Sequence, residues 1–286
     1  MVSWFESRSG SQVERGFMHS RCIKYTSMPV SKIISKIRSG VCKIEFYKEG
    51  KLVNSGTGFI CNDKLLTNSH VFHPGGIIFS GDTEIKLIFG DNKTINTNID
   101  NLNLITGSEE RNGDFAIYDY DFSAIGERFN FELSNLEEAN EGDEIMVFGF
   151  PFDASYLTSH RGIISAFFKE NSINKIQIDA SINNGNSGGP LFHLKTGKVI
   201  GIVTRKQTGL ERDFDTLIEN FSKNIKLLDD ANRNGGAVML GINIISVFRT
   251  EQLQMQIISR NIKRSSNTGI GYAFSCEAIL DILKTD

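Results

Sequence analysis

Residues 183–191 read Asn183-Asn184-Gly185-Asn186-Ser187-Gly188-Gly189-Pro190-Leu191. A serine hydroxyl can attack a carbonyl only where the backbone around it is held so that neighbouring N–H groups face the oxyanion that develops. Glycines on both sides permit that close approach. Ser187 is therefore the candidate nucleophile, and the amides of Gly185 and Ser187 are the candidate oxyanion donors. Taken alone, the same string also fits a glycine-rich β-turn that happens to hold a serine.

Such a nucleophile needs a base. Leu65-Leu66-Thr67-Asn68-Ser69-His70-Val71 follows directly on the strand-like Gly56-Thr57-Gly58-Phe59-Ile60. An imidazole with an ordinary pKa of about 6.5 can take the serine proton and return it to a leaving amine. Placing His70 in the turn after a strand leaves its ring free to face a cleft. A lone histidine is more often a surface residue, and His73, His160 and His193 are assigned that way. The third piece is Asn112-Gly113-Asp114-Phe115-Ala116-Ile117. A carboxylate entering an apolar strand is costly to bury unless it is hydrogen-bonded, which is the situation of an Asp that holds an imidazole tautomer. The competing assignment is a strand-capping Asp in solvent. Asp119 and Asp121 are rivals whose alternation fits an exposed strand face.

The surrounding texture is strand-dense. Short apolar runs at Val41 to Phe46, Gly58 to Ile60, Lys64 to Thr67, Ile85 to Phe89 and Phe115 to Tyr118 are separated by Gly, Asn and Asp clusters. A polar, Glu-rich bridge, Ser134 to Asp143, leads to a second set at Glu144 to Phe148, Gly162 to Phe167, Lys175 to Ala180 and Val199 to Val203. Two similar β blocks joined by a linker predict an all-β protein of two packed barrels. The period then changes. Phe214, Leu217, Ile218, Phe221, Ile225 and Leu228 fall at helical spacing after Asp213, a candidate N-cap. A strand-like stretch, Ala237 to Ile245, and a helix from Thr250 to Ile262 follow. A short helix is expected over Val30 to Ile37 and another over Cys276 to Lys284. The expected organisation is an N-terminal extension (1–34), a first barrel (35–133), the first part of a second barrel (134–206), a mixed helical insertion (207–266), and a closing strand with a C-terminal helix (267–286).

With His, Asp and Ser in that order, each at a strand end and spread over two β blocks, the chain resembles the trypsin-like clan and, within it, the Deg/HtrA-type proteases. The matching segments are GTGFICNDKLLTNSHV (56–71), GDFAIYD (113–119), IQIDASINNGNSGGPLF (176–192), VIGIVT (199–204) and TGIGYAFS (268–275). The resemblance implies a chymotrypsin-like fold of two six-stranded antiparallel barrels, with His70 and Asp114 from the first, Ser187 from the second, and the triad in the cleft between them. It implies a serine endopeptidase acting on polypeptide substrates, with no cofactor and no metal.

Departures from the family pattern matter. Asn186 stands where digestive trypsin-like enzymes carry an Asp that pairs with a newly cut N-terminus, so activation by movement of loops is expected in place of activation by cleavage. At the expected floor of the primary specificity pocket stands Ser181, which offers no counter-charge to a substrate Arg or Lys, so cleavage after small or medium uncharged residues is expected. Thr204-Arg205-Lys206 aligns with the pocket edge and gives a competing expectation, attraction of an acidic side chain. The 207–266 insertion should lie over or beside the substrate groove, either as a lid or regulatory platform or as a surface decoration.

At 286 residues with a formal net charge of -3, 40% hydrophobic and 23% charged residues, the chain has no polyanion-binding bias, and no nucleic-acid partner is expected. No apolar run long enough to span a bilayer is visible, and Met1 to Ser20, with Glu6, Arg8, Glu14 and Arg15, lacks the apolar core of a secretory signal, so a membrane partner is not expected and a cytoplasmic location is. Cys22, Cys42, Cys61 and Cys276 show no metal-ligand spacing; reduced, buried thiols are expected, with a Cys42 to Cys61 pair left open. No appended peptide-binding domain is expected after the last barrel strand. Substrate selection would then fall to the cleft, the N-terminal arm, the insertion, a regulatory protein partner or a homo-oligomer. A role in protein quality control or in a stress or defence response is the expectation by analogy. Two other functions compete: a catalytically silent protease fold serving as a binding or chaperone-like module, and a serine esterase. The second is disfavoured by the His, Asp, Ser order and the missing βα alternation.

Overall fold

The computed structural model describes residues 28–76, 79–109, 112–204, 209–265 and 269–283. Helix α1 (Val30–Ile37) buries Ile33 and Ile37, four residues apart on one face. Strands β1 (Val41–Lys48), β2 (Lys51–Cys61) and β3 (Lys64–Thr67) then run as an antiparallel meander. The joining turns have two residues each, all in the left-handed region: Glu49 and Gly50 at φ 52 and 70, Asn62 and Asp63 at φ 48 and 58. Their twist matches that of the paired strands, which is why such turns suit hairpins. A short helix α2 (Ser69–Phe72) follows, then β4 (Glu84–Phe89), β5 (Thr94–Asn98), β6 (Asn103–Ser108) and β7 (Phe115–Asp119).

The hydrogen-bonded order in this first half is β5-β4-β1-β2-β3-β7-β6, a seven-stranded sheet where a six-stranded barrel was expected. The strands that sequence periodicity did not announce are β5 and β6, which lie at its two ends. In β5 only Ile95 is buried, so Thr94-Ile95-Asn96-Thr97-Asn98 carries little apolar signal.

The second half begins with β8 (Glu144–Gly149), β9 (Thr158–Glu170), β10 (Ile173–Asp179), β11 (Pro190–His193) and β12 (Lys198–Thr204). After α3 (Gly209–Arg233), β13 (Val238–Met239), β14 (Ile242–Asn243) and α4 (Ile244–Ser265), the chain returns as β15 (Ile270–Ser275) and ends on α5 (Glu277–Leu283). Six of these strands close a barrel in the order β10-β15-β12-β11-β8-β9. The fold class is thus the chymotrypsin-like one that the sequence implied.

Three clusters make the core. One fills the first half around Phe46, Leu65, Leu87 and Tyr118, and one fills the closed barrel around Ile145, Ile176, Leu191 and Val203. The third lies between them and includes Phe59, Phe131, Met146, Phe148 and Phe192, with Ile33 of α1 and Ile279 of α5. Strand β8 shows how the sequence builds this: Ile145 and Val147 face the barrel interior, while Met146 and Phe148 face the other half. Both faces are covered, so the strand reads as a continuous apolar run. The seam includes edge-to-face rings, Phe59 on Phe131 at 5.6 Å and Phe131 on Phe192 at 6.2 Å. Each such ring removed from water contributes roughly 1.5–3 kcal/mol, so the two halves are held as one body and a site spanning them is rigid.

The insertion departs from expectation in three places. Helix α3 starts at Gly209, so Asp213 lies inside it and is not its N-cap. The stretch Ala237 to Ile245 is not one strand but a tight hairpin turning at Leu240 and Gly241 (φ 51 and 79). Helix α4 begins at Ile244 and not at Thr250, because Asn243 Oδ1 accepts the Ser246 N–H at 3.1 Å and caps the helix six residues earlier than periodicity suggested.

Candidate functional site

His70 reaches its position through β3 and its continuation. Thr67 ends the strand, Asn68 stays extended, and α2 starts, which carries the His70 ring out of the sheet. Asp114 stands immediately before β7 with its backbone in the left-handed region at φ 47, after Gly113 at φ 117. Asp tolerates that conformation better than most residues. The reversal turns the carboxylate toward α2. Asp114 Oδ2 lies 2.6 Å from His70 Nδ1, and Oδ1 accepts the backbone N–H of His70 at 3.1 Å. Both oxygens therefore hold one residue, fixing ring and backbone together.

The Asp114 side chain is fully buried, whereas the His70 side chain is 39% exposed. A buried carboxylate must be hydrogen-bonded to be tolerated. Besides His70, the Thr204 hydroxyl at the end of β12 lies 3.5 Å from Oδ2, and Asn68 Nδ2 donates to the Asp114 carbonyl at 2.7 Å. An ionised carboxylate can only accept, so Nδ1 carries the hydrogen and Nε2 keeps its lone pair. That is the tautomer of a general base.

The Ser187 turn is set down against the first half. Ser187 O accepts from Thr57 N at 2.9 Å, and the Thr57 hydroxyl donates to Gly185 O at 2.6 Å while accepting from Phe150 N at 3.2 Å. Thr67 Oγ1 donates in turn to Thr57 O at 2.6 Å. Gly188, at φ 88, has no room for a side chain: a Cβ there would lie 2.1 Å from Thr57 O, 2.2 Å from Thr67 Oγ1 and 3.1 Å from Asn68 N. The residue after Ser187 thus touches the residue two before His70. Gly185 is confined likewise, at φ 95 with Phe150 O 2.1 Å from where a Cβ would be. Among the described residues, the N–H groups of Gly185 and Ser187 donate to no backbone acceptor. Ser187 is 8% exposed.

The remaining candidates fall out as follows. Ser181 is half-buried in the segment between β10 and the Ser187 turn. Thr204 is buried and directed at Asp114, a contact that the pocket-edge assignment did not anticipate. Arg205 and Lys206 lie outside the described residues, as does Cys22. Asp119 and Asp121 are exposed. Asn186 is fully buried, and neither side-chain polar atom has a partner among the described residues.

His193 corrects the surface assignment. It is fully buried, bonded to Thr196 Oγ1 at 3.0 Å and to Asp143 Oδ2 at 3.2 Å. Burial pushes its pKa below the ordinary value, against the opposing hydrogen bond to the Asp143 carboxylate. Periodicity could not reveal this, because β11 is only four residues long and every one is buried. Sequence reasoning also missed Thr57, whose one signal is its place between Gly56 and Gly58 in a strand, where glycines mark close backbone approach.

Cys42, Cys61 and Cys276 are buried and free, which settles the open Cys42 to Cys61 pairing against a disulfide. Burial pushes Cys42 and Cys276 well above the usual thiol range and Cys61 up to about 12.

The model of the trypsin-like peptidase domain matches residues 56–202. A probable periplasmic serine endoprotease, DegP-like, of Rickettsia prowazekii (strain Madrid E) is 32% identical over 189 residues, covering 61% of this chain and 33% of the relative. Serine protease HTRA1 of Xenopus laevis is 29% identical over 194 residues, covering 63% of this chain and 39% of the relative. The matched part of the chain therefore spans between a third and two fifths of the length of these relatives. Among solved structures, the HtrA-type protease AlgW with tripeptide superposes with a TM-score of 0.56 at 20% identity, covering 90% of this chain and 63% of that one.

Proposed function

Because the chain belongs to the trypsin-like peptidase domain family, we propose that it is a serine endopeptidase that uses Ser187, His70 and Asp114. The observation that carries this reading is the buried Asp114 carboxylate gripping the ring and backbone of His70 at 2.6 and 3.1 Å, with Gly188 of the serine turn packed against Asn68. Ser187 Oγ attacks the scissile carbonyl while His70 Nε2 takes its proton. The tetrahedral oxyanion is met by the N–H groups of Gly185 and Ser187. The C–N bond then breaks as the imidazolium returns the proton to the leaving amine. Water attacks the resulting ester with His70 again as base, freeing the acid and restoring the serine. Asp114 stays ionised and stabilises the imidazolium in each half-reaction.

Ser181 in the primary pocket supports cleavage after small or medium uncharged residues. Buried, unpaired thiols fit a reducing compartment, whereas one relative is named for the periplasm; a cytoplasmic location is our proposal on the thiols. Among the described residues no helix is long and apolar enough to cross a membrane. A role in protein quality control or in a stress or defence response follows from the similarity to HtrA-type proteases.

The test is labelling with a fluorophosphonate probe. Wild type should be labelled, Ser187→Ala should not, and His70→Ala should be strongly slowed. Absence of labelling in wild type, or labelling that survives Ser187→Ala, would overturn the assignment in favour of a silent protease-fold module.

A further inference from the structure

Three steps in the chain place Gly directly after Asn: Asn112-Gly113, Asn184-Gly185 and Asn234-Gly235. At such a step the main-chain nitrogen of the glycine can attack the side-chain carbonyl of the asparagine, because no Cβ on the glycine crowds the approach and its backbone turns easily. The surroundings decide which step reacts and with what effect. Asn112-Gly113 is closed in: Asn112 N and Asp114 N both donate to Glu109 O, Ser108 Oγ donates to Asn112 O, and Gly113 is buried. Asn234 and Gly235 are exposed in the turn between α3 and β13.

At the remaining step Asn184 is exposed and Gly185 half-buried, in a turn outside any helix or strand. The Gly185 N–H donates to no backbone acceptor among the described residues. In the mechanism above it is one of the two donors that wait for the oxyanion. A donor kept open for a transient charge is also a nitrogen that no hydrogen bond withholds from reaction.

We propose that Asn184 is a deamidation site through which the protein inactivates its own serine turn. Gly185 N gives up its proton to solvent and bonds to Asn184 Cγ; the Cγ–Nδ2 bond breaks and ammonia leaves, which closes a cyclic imide. Water then opens the imide at one carbonyl or the other, leaving aspartate or isoaspartate at position 184. The net change is one water consumed and one ammonia released. In the imide Gly185 N carries no hydrogen, so the oxyanion loses a donor. In the isoaspartate the main chain runs through the former side-chain methylene. The bonds that set the turn, Phe152 N to Asn184 O at 2.7 Å, Asn186 N to Asn183 O at 3.0 Å and Thr57 Oγ1 to Gly185 O at 2.6 Å, cannot all survive that lengthening. Either ring-opened product also sets a carboxylate beside the place where negative charge develops, and like charges repel. The loss of activity rests on the reading of Ser187 as nucleophile; the modification itself does not.

The test holds full-length wild type and Ser187→Ala at mildly alkaline pH in heavy-oxygen water, with peptide mapping by mass spectrometry. Position 184 should take up label and yield isoaspartate in both proteins, while position 112 keeps its amide. Peptide hydrolysis by wild type should fall in step with conversion at position 184 and not with conversion at position 234. Asn184→Gln, whose attack would need a larger ring, should hold its activity over the same period. Capping Ser187 with a fluorophosphonate, whose phosphoryl oxygen engages the Gly185 N–H, should slow conversion at position 184 and leave position 234 unchanged. A position 184 that takes up no label in either protein, or activity that decays equally fast in Asn184→Gln, would overturn the proposal. Labelling at position 184 in a wild type that cleaves no peptide would support the site and count against the endopeptidase reading alone.

Discussion

Thr204 in the second half places its hydroxyl 3.5 Å from the carboxylate Oδ2 of Asp114 in the first. Besides the His70 ring, it is the one side chain bonded to that oxygen among the described residues. Removing it should let the carboxylate drift without exposing it. Thr204→Val should lower kcat about 3- to 10-fold with KM little changed, as expected for the net loss of a hydrogen bond of about 0.5–1.5 kcal/mol. Thr204→Ser should restore the rate. Steady-state kinetics on a peptide substrate decides it.

Asp114→Asn preserves shape and inverts hydrogen-bond sense. The amide oxygen can still accept from His70 N, which leaves Nδ2 facing the ring and donating to Nδ1. The proton then sits on Nε2, and the base is lost. A fall in kcat of about 10⁴-fold is expected, the size seen when this tautomer is reversed in related triads. A fall under tenfold would show that Asp114 does not set the tautomer.

Ser181, the proposed floor of the primary pocket, carries no charge, so a proteome-derived peptide library should show cleavage after small or medium uncharged side chains that disappears in Ser187→Ala. Dominant cleavage after Arg or Lys would contradict it.

Gly188→Ala should be far more damaging than an ordinary glycine replacement. The new Cβ would meet Thr57 O at 2.1 Å and Thr67 Oγ1 at 2.2 Å, at a backbone φ of 88. Left-handed strain and overpacking together cost roughly 3 to 5 kcal/mol. Gly142→Ala has φ 87 and nothing within 4 Å, so it carries the strain alone, about 1 kcal/mol. Urea unfolding midpoints of the two variants should separate accordingly.

The barrel should weaken in mild acid. In the folded chain burial lowers the pKa of His193 from 6.5, so below that pH the unfolded chain takes up a proton that the folded chain refuses. Stability therefore falls as pH drops from 6.5 toward the folded value and is unaffected by this group above 6.5. Asp143, held below the carboxylate range by Asn140 and His193 against the opposing pull of burial, adds a further loss at lower pH. Urea midpoints should drop between neutral pH and pH 5.5 in wild type and drop less in His193→Gln.

The nearness of His70 and Asp114 was legible because each stands at the end of a short apolar strand, where periodicity fixes the strand and the polar residue marks its edge. The two halves were legible for the same reason. What sequence could not supply were contacts made across the halves by small polar residues. Thr57 and Thr204 look like ordinary strand threonines, and only their placement opposite Gly185 and Asp114 gives them work. Strands β5 and β6 escaped because Asn and Thr replace the apolar alternation, and the start of α4 escaped because a single Asn243 cap outweighs the pattern that follows it.

The threonine at position 57 also bears on how such proteins can be recombined. It belongs to one half yet fixes, through Ser187 O and Gly185 O, the shape of a turn encoded more than a hundred residues later in the other. A chimera exchanging either half for a homologous one would keep two hydrophobic cores. Its serine turn would still go slack unless the donor sequence brought a hydroxyl to the same spot.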